Sequence, residues 1–144
     1  MTAVTEQNKA VVRRFNKEVI EENNLHSFNE IMHAAFINHT AAAGADSGAA
    51  GILYTFNEVL RPAFPDLRVT IHEQVAEGDK VTTFKTISGT HTGTFMGIPP
   101  THQVVMIRVM DMVTVRDGQY VEHWGVNTLG ALVAELKTIH AAKK

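Results

Sequence analysis

Gly89-Thr-His-Thr-Gly-Thr-Phe-Met-Gly-Ile-Pro-Pro100 stands between two long stretches rich in β-branched residues, 80–88 and 103–116. Val, Ile and Thr fit a pleated, half-buried surface, so both stretches read as strands and the residues between them as a long connection. Glycine permits backbone conformations and close approaches that other residues resist, and Pro99 and Pro100 stiffen the return. Phe95, Met96 and Ile98 are more apolar than a plain turn needs. Two readings stay open: a hydrophobic rim folded over a cavity mouth, or a connection that packs on a neighbouring helix or subunit.

Upstream, Leu67, Val69 and Ile71 alternate with Arg68, Thr70 and His72, and Val75 leads into a turn at Glu77-Gly-Asp-Lys80. This is the period of a strand. Downstream, Asp117-Gly118 is a two-residue hairpin signal, and 120–126 is the last strand. Residues 5–22 carry Val11, Val12, Phe15, Val19 and Ile20 at helical spacing, with Thr5 as the expected cap and Asn23-Asn24 as the stop. A short helix over 27–32 and an extended piece over 35–40, holding Asn38 and His39, come next. Residues 41–48 read as a small, flexible surface loop. A third helix, 51–63, presents Ile52, Phe56, Val59 and Leu60 on one face, and 129–140 is the closing helix. Helices followed by a meander give a single α+β domain over 1–144. Its N-terminal helices pack on a strongly curved, mostly antiparallel sheet that encloses a pocket.

Composition narrows the function classes. A chain of 144 residues, 44% hydrophobic and 19% charged, is long enough for a real core and has globular composition. A net charge of −2 with mixed signs leaves no footprint for nucleic acid. No apolar run approaches a membrane span, the first residues lack a signal peptide's apolar core, and no cysteine is present. A cytoplasmic protein is the expectation. Neither a phosphate loop, a dinucleotide fingerprint nor a serine-nucleophile elbow is found, so no cofactor is expected. The eight histidines show no clustered metal-ligand spacing, so no metal is expected either.

Alternation then selects the candidate chemistry. Val105, Ile107, Val109, Asp111 and Val113 share one strand face, and a carboxylate among valines is costly unless paired or functional. On the last strand Val121, His123 and Gly125 share a face, opposite Glu122 and Trp124. The Asp117-Gly118 turn makes the two strands antiparallel neighbours and brings His123 near Asp111. An imidazole oriented by a carboxylate suits acid/base work. The plainer alternative for Asp111 is an ion pair with Arg68, Lys85 or a histidine. His39 and His91 sit where elements meet the expected pocket mouth, whereas His72, His102 and His140 are expected to face solvent. Met106, Met110, Met112 and Trp124 line the opposite strand face, either as a sheet-to-sheet dimer surface or packed under the closing helix.

The segments 63–70, 75–81, 89–101 and 117–124, with Gly89-Thr-His-Thr-Gly93 the most specific, resemble the SnoaL-like polyketide cyclases, also called the ester cyclase family, within the nuclear transport factor 2-like superfamily. The resemblance implies a cone of helices over a curved sheet, a homodimer or higher homo-oligomer, and a cofactor-free pocket for a hydrophobic small molecule. It implies an aldol-type ring closure, in which an acid/base removes a carbon-bound proton and polar groups hold the enolate. Residue by residue, Asn38 matches a pocket asparagine and Phe15 an aromatic pocket position. Asp111 stands where the cyclases have a histidine, and Val109 where they have a glutamine. The family's acid/base aspartate falls at Gly125, which cannot move a proton. The expected assignment is therefore His123 as base, Asp111 as its orienting partner, and Asn38 and His91 as holders of the substrate oxygen. Phe15, His39, Phe56, Phe95, Met96 and Val109 are expected to complete the substrate site. The alternative is a non-catalytic small-molecule binding protein that has lost the aspartate.

Overall fold

The computed structural model describes residues 3–143. Helix α1 (Ala3–Arg14) runs into a wide π-helical turn, Phe15–Glu21, so Thr5 lies inside the helix rather than capping it. Asn23 takes a positive φ of 54° and Asn24 caps α2 (Leu25–Ile31), its side chain accepting from the Ser27 N–H at 3.1 Å. The two asparagines thus stop one helix and start the next. Strand β1 (Met32–Asn38) follows, then α3 (Ala49–Tyr54), a second π-helical turn, Thr55–Leu60, and α4 (Arg61–Ala63). The meander is β2 (Arg68–Glu77), β3 (Lys80–Thr90), β4 (Val104–Arg116) and β5 (Gln119–Asn127), and α5 (Leu129–Ala142) closes the described chain.

The strands form one sheet in the order β1-β5-β4-β3-β2. All neighbours are antiparallel except β1, which pairs parallel with β5 and sets Asn38 opposite His123. The α+β cone read from the sequence is therefore the observed fold, with β1 as a fifth strand of an open sheet. Asp117 and Gly118, at φ values of 50° and 76°, make the tight turn that the Asp-Gly pair favours.

Two irregularities decide which side chains face inward. A shift between Thr114 and Val115 sets Val115 opposite Tyr120 and Thr114 opposite Glu122, leaving Val121 as the extra residue. Tyr120, not Val121, consequently joins His123 on the inner side, the kind of re-aiming a bulge performs. A second shift, between Ile71 and Glu73, turns Val75 to solvent while Gln74 and Ala76 face the helices.

The core has two lobes. One gathers Val12, Phe15, Ile20, Phe28, Phe36 and Tyr120 under α1 and α2. The other gathers Phe64, Phe95, Ile98, Val105, Leu132 and Leu136 under α5. The connection 91–103 belongs to the second lobe: Phe95 is 0% exposed and packs tilted against Phe64, ring centroids 5.0 Å apart. Gly93 donates its N–H to Ala63 O, and a Cβ there would sit 1.9 Å from the Pro62 carbonyl, so only glycine fits. Of the two readings of this segment, the structure adopts packing against helices. On the outer sheet face Met106 and Met110 are exposed, because α5 lies against the other face with Leu132 and Leu136. They do not pack under the closing helix.

Candidate functional site

A cavity of about 190 Å³ opens between the two lobes. Phe15, Phe36, Phe56, Ile107 and Val109 make its walls largely apolar, and Asn38, Lys85, Asp111, Tyr120 and His123 supply the polar groups. Beyond it lies an open cleft of about 710 Å³ lined by Ala41, Ala42, Gly44, Ala45 and Asp46 of the loop and by Tyr54 and Thr55. Asn38, Thr40, Thr55 and Asn127 border both spaces. The entrance is thus framed by the alanine-rich loop after β1, not by the Gly89–Pro100 connection.

The chemistry centres on His123. Its Nδ1 lies 2.8 Å from Asn38 Oδ1. The Thr40 backbone N–H and the Thr40 hydroxyl both point at that same oxygen, each at 3.2 Å. A backbone N–H can only donate, so the Asn38 atom is the carbonyl oxygen and His123 Nδ1 carries the hydrogen. In neutral His123 the unprotonated nitrogen is therefore Nε2, which sits 3.6 Å from Asp111 Oδ2. The arrangement leaves Nε2 free to take a proton and places a carboxylate where the resulting imidazolium is stabilised.

Asp111 is 7% exposed, paired by register with Thr83 and Gly125. Burial works against its charge, but the Lys85 ammonium and the His123 imidazole outweigh that and hold its carboxyl below the usual carboxylate range. Lys85 Nζ stands 3.3 Å from Asp111 Oδ2 and donates to Asn16 Oδ1 at 2.7 Å. Asn16 reaches it from the π-helical turn, donating its own amide to Val12 O at 2.8 Å. Of the partners foreseen for Asp111, Lys85 and a histidine are present at once, and Arg68 is not among them. Tyr120 is stacked on Phe15 at 4.6 Å, and burial, with the Asp111 charge behind it, pushes its phenol well above the ordinary value, so it remains a neutral donor.

Gly125 has a steric reason. A Cβ there would come within 2.9 Å of His123 Cε1 and 3.5 Å of Asp111 Cβ. The imidazole leans over the glycine and fills the space a side chain would occupy.

Of the residues singled out in the sequence, the structure brings together His123, Asp111, Asn38, Phe15, Phe56 and Val109 at the cavity. Asn38 spends its carbonyl oxygen on His123 and Thr40 rather than on the cavity. Four residues lie elsewhere. His91 is fully buried in the second lobe, where its Nδ1 faces Thr101 and its ring tilts against Phe64 at 5.7 Å. Phe95 lies beside it, and Met96 points to solvent at 61% exposure. His39 stacks on Trp124 at 4.6 Å and meets Glu122 at 3.3 Å, outside the cavity. Lys85, Tyr120 and Asn16 were not foreseen as site residues. For Lys85 the signal was available, since it shares the inward face of β3 with Val81, Thr83 and Ile87. Among the described residues, no group of three or more His, Cys, Asp or Glu is placed to hold a metal ion.

The family model for SnoaL-like polyketide cyclases matches residues 10–136. A protein from Jannaschia sp. CCS1 assigned as a SnoaL-like polyketide cyclase superposes with a TM-score of 0.78 at 28% identity, over 92% of this chain and 93% of that one. IdmH from Streptomyces antibioticus, assigned as a polyketide cyclase, gives 0.78 at 27% identity over 91% and 99%. AclR from Streptomyces galilaeus, assigned as a hydroxylase, gives 0.80 at 25% identity over 93% and 83%. No curated protein matches the sequence.

Proposed function

The chain belongs to the SnoaL-like polyketide cyclase family, and from that premise we propose that it is a cofactor-independent enzyme that enolises an apolar carbonyl compound and closes an aldol-type bond. His123 is the base. One observation carries the reading: Thr40 fixes the Asn38 amide, the amide fixes the His123 tautomer, and the bare Nε2 is left at the cavity beside Asp111. Nε2 takes the proton from a carbon next to the substrate carbonyl. The Asp111 carboxylate stabilises the imidazolium, and the Lys85 ammonium faces the developing enolate oxygen. The enolate carbon then attacks a second carbonyl, and the imidazolium returns its proton to the alkoxide, so protons balance without an outside donor. His123 thereby replaces in kind the aspartate that the family places at the position of Gly125, and the open cleft beyond the cavity accommodates the rest of a polycyclic molecule.

The test is deuterium uptake at the α-carbon of an aryl β-keto ester, followed by NMR. Wild type should exceed His123→Ala by roughly 10²–10⁴-fold, the usual worth of a positioned base. Equal rates in the two would end the assignment. Binding of the ester by a wild type that exchanges no faster than buffer would leave the non-catalytic binding protein as the reading.

A further inference from the structure

One polar group at the cavity is left idle by the base. Tyr120 is 4% exposed and lines the cavity, yet its hydroxyl has no hydrogen-bond partner among the described residues. Buried phenols normally find one. Nor is that hydroxyl sealed in: Asp111 Oδ1 is fully enclosed without a partner, and the Tyr120 oxygen is not. Its remaining surface opens onto the cavity. The β5 bulge is what aims it there. Without Val121 as the extra residue, positions 120 and 123 would point to opposite faces of the strand. The ring is held by Phe15 at 4.6 Å, and the Asp111 charge keeps the proton on the phenol, so a hydrogen is always there to donate.

Register orders the donors along the cavity. On β5, Tyr120 pairs with Val115, His123 with Val113 and Asn127 with Val109, and Lys85 of β3 pairs with the same Val109. Asn127 also borders the open cleft, whereas Tyr120 belongs to the packed first lobe. Tyr120 therefore stands at the closed end, Lys85 is rooted at the mouth end, and the His123 row lies between them.

We propose that Tyr120 anchors the ligand at the closed end, donating its O–H to a carbonyl oxygen other than the one Lys85 faces. The ligand then enters carbonyl-first, and the carbon over His123 has an acceptor oxygen on each side. The substrate class is a hydrophobic β-dicarbonyl, a narrower set than ketones at large. A carbon between two carbonyls gives up its proton far more readily than one beside a single carbonyl, which suits a base as weak as imidazole. The carbonyl attacked in the ring closure is a third one, borne on the part of the molecule toward the cleft. The role of the flanked carbon rests on the base reading above; the anchor itself does not.

The experiment uses methyl 2,2-dimethyl-3-oxo-3-phenylpropanoate, an aryl β-keto ester with no proton to lose between its carbonyls, so binding is read without turnover. Isotope-edited infrared of the bound ester should show both carbonyl stretches lowered in wild type. In Tyr120→Phe one of the two should relax and the other stay, with affinity by calorimetry about threefold to tenfold weaker, the scale of one hydrogen bond. The variant should be at least as stable as wild type in chemical denaturation, because the lost hydroxyl has no protein partner. A purely structural tyrosine would move stability and leave the carbonyl stretches alone. No binding by wild type, or identical stretches and affinity in the two proteins, overturns the proposal. A relaxing stretch in a protein that exchanges no deuterium into the unmethylated ester refutes only the base. Deuterium exchange with unchanged stretches refutes only the anchor.

Discussion

His123 lines the cavity between the two lobes and His91 lies inside the second lobe, and their neighbours give them opposite chemistry. At His91 the Thr101 backbone N–H donates to Nδ1 at 3.2 Å, so Nδ1 is the bare nitrogen and Nε2 carries the hydrogen. Burial holds that imidazole toward its neutral form, against weaker hydrogen bonding to the Ile98 and Gly93 backbone, and no carboxylate faces it among the described residues. At His123 the hydrogen on Nδ1 is held by Asn38, the ring borders a cavity, and a carboxylate stands beside Nε2. A histidine's role here is decided by which partner holds Nδ1 and by whether empty space or aromatic rings lie beyond Nε2.

The largest expected separation is kinetic. His123→Ala should slow exchange by roughly 10²–10⁴-fold with little change in melting, whereas His91→Gln should leave exchange at 25 °C near wild type. Slow exchange in the His91 variant would merge the two lobes into one functional unit. Next comes stability: Phe95→Ala empties a fully buried ring site in the second lobe and should cost about 3–5 kcal/mol in chemical denaturation. A loss below about 1 kcal/mol would mean that this lobe is looser than its packing implies. Gly125→Ala sharpens the other side, since its Cβ must push the His123 ring aside. Roughly 10–100-fold slower exchange is expected, in line with the cost of a displaced catalytic group.

Acid should act through His91. Its folded value lies below the unfolded one of about 6.5, so the unfolded chain binds a proton that the folded chain refuses. Stability is full above that value and falls as pH drops through it toward the folded value. His91→Gln should flatten this slope in denaturation measured from pH 7 to 5, and an unchanged slope would place the titration elsewhere. The smallest effect on the domain itself is expected at the outer sheet face. If a second copy covers it, as the family resemblance implies, wild type sediments at twice the chain mass and Trp124→Asp at once; equal masses remove the dimer.

Much of this was legible in the sequence because it depends on short-range rules. Alternation along 103–116 and the Asp117-Gly118 turn were enough to place Asp111 beside His123, and the asparagine pair marked the helix break. What escaped depends on long-range contact. Nothing local says that residues 35–40 pair parallel with the last strand, although that pairing is what delivers Asn38 to His123. The destination of 89–100 is set by the close approach of Gly93 to the Pro62 carbonyl, so His91, Phe95 and Met96 could not be placed from their own residue types. The β5 bulge is equally silent, and it exchanges Val121 for Tyr120 at the cavity. Lys85 was read only as a possible partner of Asp111, although its place in the alternation of β3 with Val81, Thr83 and Ile87 already put it on the inward face.

The two wide helical turns, Phe15–Glu21 and Thr55–Leu60, carry Phe15 and Phe56 to the cavity and Asn16 to the Lys85 ammonium behind it. A π-helical turn is a helix that has absorbed an extra residue while the winding on either side continues. Losing one residue from such a turn would restore ordinary winding and withdraw a cavity-facing side chain without touching the sheet. The scaffold therefore has two places where evolution, or a protein engineer, can redraft the chamber by single-codon insertion or deletion. Lineages diverging in what they accept should differ there in length, and not only in the identity of the lining residues.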